Sequence, residues 1–349
     1  MDSKVTPLRG KDPISFKRLM ALKSIGDDVF QSLTAAWPPA PFQRAFGGHV
    51  YAQAMYAASR TVEKGLVLHS ITGYFNLPGA IDLPFVYRVR RLRDGGIYCL
   101  RSVDVYQQSS AAGQGSQPCF TATMSFKRSE KNNGKWRDFE HQNVSKEHIR
   151  KDYSSVLDGL APQDHPLAPG ADSQWWEEQE AERWNKTAAA FPGVEMRRVD
   201  MHKHNGIVER GGGTDGQGAS RWRALHFYRL IQDEEDTNLQ EETDLNLHAA
   251  AHLYASDRNS LFLVQRALGY EHVPTTMASL SHTVVFHGLA EHLCLVDEAR
   301  TSKWFVQEAW TSHSGDNRGC HNSRLWDHAS GRVIATTIQD GMLRFPSHL

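Results

Sequence analysis

In the stretch HLYASDRNSLF, residues 252–262, a carboxylate stands where a helix would be apolar. Helical spacing places Ala250, Leu253, Tyr254, Asp257 and Leu261 on one stripe, so Asp257 is expected to face the core. A buried carboxylate is costly unless it has partners. It can take a proton from a water as a general base, or it can cap the last helical turn or pair with Arg258 or Arg266. Gln339, in VIATTIQDGM, falls on the inward parity of a strand, where both ends of its amide need partners, while its neighbour Asp340 points to the opposite face. His248 and His252 have the i, i+4 spacing of a metal pair, but no Glu occupies the HEXXH position and no third ligand is evident. They read as ordinary helix histidines, and no metal or cofactor is expected. GxSxG, P-loop and dinucleotide fingerprints are all missing, so neither a serine-hydrolase triad nor nucleotide chemistry has support.

The bulk numbers narrow the classes of partner. Lys and Arg total 39 against 40 Asp and Glu, a net charge of −1, which favours neither nucleic acid nor an anionic membrane as partner. Mean hydropathy is −0.52 and no long apolar run suggests a membrane span. MDSKVTPLRGKD lacks the apolar core of a signal peptide. The four cysteines, Cys99, Cys119, Cys294 and Cys320, are spaced for neither zinc nor a CxxC pair, and read as small buried hydrophobes in a reducing compartment. The tail Ser347-His348-Leu349 is a close variant of the peroxisomal Ser-Lys-Leu address.

The elements that must position Asp257 and Gln339 come in a repeated order. FGGHVYAQAMYAASRTV carries Val50, Tyr51, Ala54, Met55, Ala58 and Val62 on one stripe of a thin, alanine-rich helix, with Gly47 and Gly48 freeing the backbone at its start. About four alternating strands follow, around Val67–Phe75, Phe85–Val89, IYCLRSVDVYQ and CFTATMSFKR, with a turn at RDGG. Residues 129–190 are rich in charge, Pro and Gly and read as a linker with short helices at SKEHIRKDY and SQWWEEQEAERW. After it, EMRRVDMHKH and RWRALHFYRL read as strands around a Gly-rich loop near 211–220, followed by an acidic insertion near 232–244. The helix LNLHAAAHLYASD comes next, with a continuation toward LFLVQRAL, and then strands at LSHTVVFH, KWFVQEAWTS, CHNSRLWDH and VIATTIQDGMLRF. Aligning ATMSF with TTIQD sets Ser125 against Gln339. Helix-then-strands twice predicts an α+β duplication: two antiparallel sheets, each wrapped around a long helix and joined edge to edge.

FGGHVYAQAMYAASRTV, HSITGYFNLPG, LRDGGIYCLRSVDVYQ, YASD, LSHTVVFH and TIQDGMLR occur in the order seen in acyl-CoA thioesterase II enzymes, and most of the chain resembles that family. The resemblance implies a double hotdog: residues 1–128 as the N-terminal hotdog, 129–190 as the linker, and 191–349 as the C-terminal hotdog with the catalytic residues. It implies hydrolysis of fatty acyl-CoA to free acid and CoA by a water held by an Asp, a Ser or Thr, and a Gln, here Asp257, Ser279 and Gln339. Gly47 and Gly48 are candidates for the oxyanion donors, and His69 for contact with substrate. The family includes peroxisomal members, so an import receptor reading the C-terminal tripeptide joins acyl-CoA as an expected partner. Duplicated hotdogs also associate through sheet edges, which makes a homo-oligomer a further expectation. Leu77, Ser281 and Gly288 depart from the family's usual Arg, carboxylate and Arg, which puts chain-length and CoA-binding details in doubt more than the reaction. Two rivals remain: a non-catalytic acyl-CoA binder, and a hotdog enoyl-CoA hydratase, which would need a His shortly after Asp257 where none occurs before His272.

Overall fold

The computed structural model describes residues 14–38, 44–107, 117–130, 139, 141, 142, 144–169, 172–175, 178, 191–206, 217–234, 236 and 243–347. Six strands precede the linker: β1 (Leu22–Gly26), β2 (Val29–Ser32), β3 (Leu66–Phe75), β4 (Val86–Arg93), β5 (Tyr98–Tyr106) and β6 (Phe120–Arg128). Six follow it: β7 (Val194–Arg198), β8 (Ala224–Leu230), β9 (Thr276–Phe286), β10 (Phe305–Gly315), β11 (Arg318–Asp327) and β12 (Val333–Arg344). They form one antiparallel sheet in the order β1-β2-β4-β5-β6-β3-β9-β12-β11-β10-β8-β7. The two halves therefore meet edge to edge, at β3 and β9. Thr72 and Thr283 face each other across that seam with their hydroxyls 3.0 Å apart.

Helix α1 (Gly47–Ser59) lies in the first half, α2 (Lys146–Leu157) in the linker, and α3 (Leu245–Ser256) and α4 (Ser260–Ala267) in the second. Every residue of α1 from Gly48 to Ala58 is buried, because its alanines let it lie close to both the sheet and α3. A Cβ on Gly48 would come within 3.0 Å of the Tyr254 carbonyl oxygen on α3. The two helices run antiparallel: Tyr56, late in α1, donates to the Asp244 carboxylate that caps the start of α3 (3.0 Å), while Gly47, first in α1, abuts Asp257 at the end of α3.

Several expectations needed revision. β1 and β2 were not anticipated; they are short, and β1 is mostly exposed, so they carry no inward-outward alternation. The strand read through His204 stops at Arg198, and His202–Asn205 forms one exposed helical turn closed by Gly206 at φ 71. α3 does not continue into α4: Asn259 at φ 58 breaks the chain between them. The segment SQWWEEQEAERW and the two insertions fall largely outside the described residues, and so do His348 and Leu349.

The seam also corrects the register between the halves. Against β6, β3 has an irregularity at His69; against β12, β9 has one at Leu280. With Thr72 matched to Thr283, Ile71 corresponds to His282 and Leu68 to Ser279. Ile71 pairs with Met124 and His282 with Gln339, so the counterpart of Gln339 is Met124 rather than Ser125.

Candidate active site

Asp257 is the C-cap residue of α3 and only 6% exposed. Its carboxylate pairs with neither of the arginines that the sequence offered. Arg266 binds Asp172 and Glu271. Arg258 donates to the carbonyls of Ala168 and Pro169 and lies over the rings of Trp37 and Phe191. The partner of Asp257 is Gln339, fully buried on β12, whose Nε2 donates to Asp257 Oδ1 (2.7 Å) and to Ser279 Oγ (2.6 Å). The three residues named from the sequence, from a helix end and two neighbouring strands, are thus joined through Gln339, which bonds to both of the others.

The donor pattern leaves useful groups free. Both amide protons of Gln339 are engaged, and its buried Oε1 has no partner among the described residues. Ser279 accepts from Gln339, so its own hydroxyl proton can point elsewhere. A Cβ on Gly47 would sit 3.0 Å from Asp257 Oδ2 and 2.9 Å from the Phe75 ring, so the first turn of α1 faces the second carboxylate oxygen. Phe46, the N-cap of α1, supplies no side-chain oxygen to that turn. A helix start of this kind offers backbone N–H groups and the positive end of the helix to an anion. Gly47 therefore lies at the cluster, Gly48 lies against α3, and His69 is not brought to it. His69 stands on the irregularity of β3 beside Tyr98 (5.9 Å), where burial and Lys127 lower its pKa.

His282 is the residue that sequence reasoning missed. It has no exposed surface and lies opposite Gln339 in the β9–β12 register. Its Nδ1 is 3.6 Å from Asp257 Oδ1, and its Nε2 is 3.3 Å from Ser256 Oγ. The Tyr51 ring of α1 stacks on it at 4.9 Å, and the Tyr51 hydroxyl, its pKa raised by burial and by Asp257, bonds to the carbonyls of Ile71 and His282. Its inward parity on the LSHTVVFH strand, shared with Val284 and Phe286, was the available signal. His248 and His252 are both buried, and His252 bonds Tyr228 Oη and the Leu293 carbonyl.

The counterpart positions in the first half carry other chemistry. Arg60, the C-cap of α1, stands where α3 has Asp257, and Leu68, Ile71 and Met124 replace Ser279, His282 and Gln339. Arg60 donates to Tyr56 Oη, which donates in turn to Asp244.

Residues 33–127 match the model of the acyl-CoA thioesterase N-terminal domain, and residues 162–343 match that of the C-terminal domain. The chain belongs to the acyl-CoA thioesterase II family. It is therefore an enzyme that hydrolyses acyl-CoA thioesters. It is 24% identical over 342 residues to acyl-coenzyme A thioesterase 8 of Homo sapiens, across 93% of this chain and 88% of that one. It is also 24% identical over 330 residues to acyl-CoA thioesterase 2 of Haemophilus influenzae, across 94% and 96%. The double-hotdog architecture has counterparts among solved structures. An acyl-CoA thioesterase II from Mycobacterium marinum superposes with a TM-score of 0.62 at 21% identity, covering 96% of this chain and all of that one. A hot dog protein from Alicyclobacillus acidocaldarius gives 0.59 at 16% identity, covering 95% and 98%. No helix among the described residues is long and apolar enough to cross a membrane.

Proposed function

We propose that Asp257, Ser279 and Gln339 carry the hydrolysis by holding and activating one water. The observation that supports this most is the Gln339 amide, which ties the Asp257 carboxylate and the Ser279 hydroxyl into one rigid set. Asp257 accepts a proton from the water through the oxygen that faces Gly47, while Gln339 Oε1 accepts the other proton and Ser279 orients the oxygen. The water oxygen bonds to the thioester carbon, and the C–S bond breaks with its electron pair on sulfur. The oxyanion formed in between is stabilised by the first-turn N–H groups of α1 at Gly47 and Gly48. The division into residues 1–128, 129–190 and 191–349 belongs to the same reading, with each half supplying one side of the site.

The hydratase alternative needs a histidine in contact with substrate. His282 is next to Asp257 but buried beneath Tyr51, which supports hydrolysis instead. The test is thiol release from a panel of acyl-CoAs by the wild type and by Asp257→Asn. The variant is expected to fold and to lose about a hundredfold in turnover, as general-base removals do; near-normal turnover would sink the assignment. Fatty acyl chains are the proposed substrates and the peroxisome the proposed compartment, through import-receptor reading of Ser347-His348-Leu349. Extending the chain past Leu349 with a tag is expected to leave the protein in the cytosol, and an unchanged organelle pattern would remove the tripeptide as the address.

A further inference from the structure

Behind Asp257 lies a second layer whose donor pattern is fixed by arithmetic. Ser256 Oγ donates its one proton to the Leu253 carbonyl (2.8 Å). Toward His282 Nε2, 3.3 Å away, it can therefore only accept, so Nε2 carries the ring hydrogen. In the neutral ring this leaves Nδ1 with a bare lone pair, buried, without a hydrogen-bond partner among the described residues and 3.6 Å from Asp257 Oδ1. Two acceptors that face each other gain nothing from the contact. A single proton placed between them would satisfy both, and would be held by a charge-assisted bond in a buried site. The plane of the ring is held by the Tyr51 stack, itself fixed by the two backbone carbonyls that bind its hydroxyl.

We propose that His282 is the proton store for Asp257. The proposal rests on Asp257 being the base. When the water O–H bond breaks, its proton goes to Asp257 Oδ2; a half-turn of the carboxyl group brings that O–H to the place of Oδ1, facing Nδ1, and the proton passes to His282, giving an imidazolium paired with a carboxylate that is again ionised. The hydroxide oxygen bonds to the acyl carbon, and the C–S bond breaks with its pair on the CoA sulfur. The stored proton returns through Asp257 to that thiolate, so the ring ends neutral and the products are the acid and the thiol. His282 does not touch substrate in this scheme; it positions and recharges the group that does. The groups that face it are Asp257 and Ser256 from the end of α3, Tyr51 from α1, Gln339 from β12 and His321 from β11. Burial holds His321 down at about 3 and keeps it neutral, and burial keeps the proton on Tyr51, so neither competes for the proton between Asp257 and His282.

The experiment compares wild type, Asp257→Asn and His282→Gln in acyl-CoA hydrolysis, with kcat and KM followed against pH. Glutamine can restore the bond to Ser256 from the Nε2 position but offers no basic nitrogen near Asp257. His282→Gln is expected to keep KM within about twofold and to lower kcat about tenfold to a hundredfold, with two ionisations on the acid limb of kcat reduced to one. If glutamine restores kcat, His282 is structural and the proposal fails. If Asp257→Asn keeps its turnover, the base assignment fails first; if it is inactive while His282→Gln is normal, the store alone fails. Nitrogen-15 spectra of the imidazoles in the intact wild-type enzyme give a reading that needs no variant: a hydrogen on Nε2 of His282 is expected, and a hydrogen on Nδ1 would overturn the proposal.

Discussion

Gln339 spends both amide protons on its two neighbours, so removing either neighbour leaves a buried donor unmatched as well as a group missing. The hydroxyl of Ser279 is the part that can be restored by a different residue. Ser279 is half-buried. Ser279→Ala is expected to lower kcat by about tenfold or more, and Ser279→Thr to recover most of it; equal losses in both would mean that shape rather than the hydroxyl matters. At this scale the meeting of Asp257, Ser279 and Gln339 was legible, Asp257 from an apolar stripe and the other two mainly from family resemblance. His282 was not, because an inward histidine on a strand resembles core, and only the fold reveals that its neighbour is a carboxylate from a distant helix end.

Adjacent glycines at the start of α1 separate the site from the scaffold. On Gly47 a methyl group would meet the side chains of Phe75 and Asp257, whereas on Gly48 it would meet the Phe46 ring at 2.6 Å and the backbone of α3 at 3.0 Å. Gly47→Ala is thus expected to cut kcat with little change in Tm. Gly48→Ala should force the helices apart, at a cost of roughly 1–3 kcal/mol for such overpacking, visible as a lower Tm. The reverse pattern would contradict the helix placement. The linker also acts as an element. Leu167 pairs with Arg197 at the β7 edge, and Asp172 binds Arg198 and Arg266 while its backbone N–H reaches the Asn259 side chain, two residues past Asp257. This strap could not be read from composition, since a segment rich in Pro and charge gives no periodicity to follow. The long helices and inner strands could, because burial on one or both faces imposes a period. The off-by-one match of Ser125 to Gln339 compared two similar alternating strands by residue type, whereas their true register is set by the pairings Ile71–Met124 and His282–Gln339, which only the folded sheet supplies.

Across the whole molecule, burial holds His49 and His248 down at about 4 and His252 and His321 at about 3, against an ordinary value of 6.5. These groups are neutral when folded and gain protons on unfolding between about pH 4 and 6.5, so the unfolded chain binds more protons and stability rises with pH across that window. Each fully shifted group contributes about 1.4 kcal/mol per pH unit there. Tm is expected to fall steeply from pH 6.5 to pH 4, and a flat profile would contradict the buried, neutral histidines. The seam between β3 and β9 carries another consequence. Gly47 and Tyr51 come from the first half and Gln339 from the last described strand, so the reactive constellation exists only when both are in place. With the reaction assigned to Asp257, Ser279 and Gln339 as proposed, the growing chain is expected to stay silent until β12 has left the ribosome and closed onto β9. On that proposal, an enzyme that can deplete activated acyl groups would spend no part of its making as a partly active fragment.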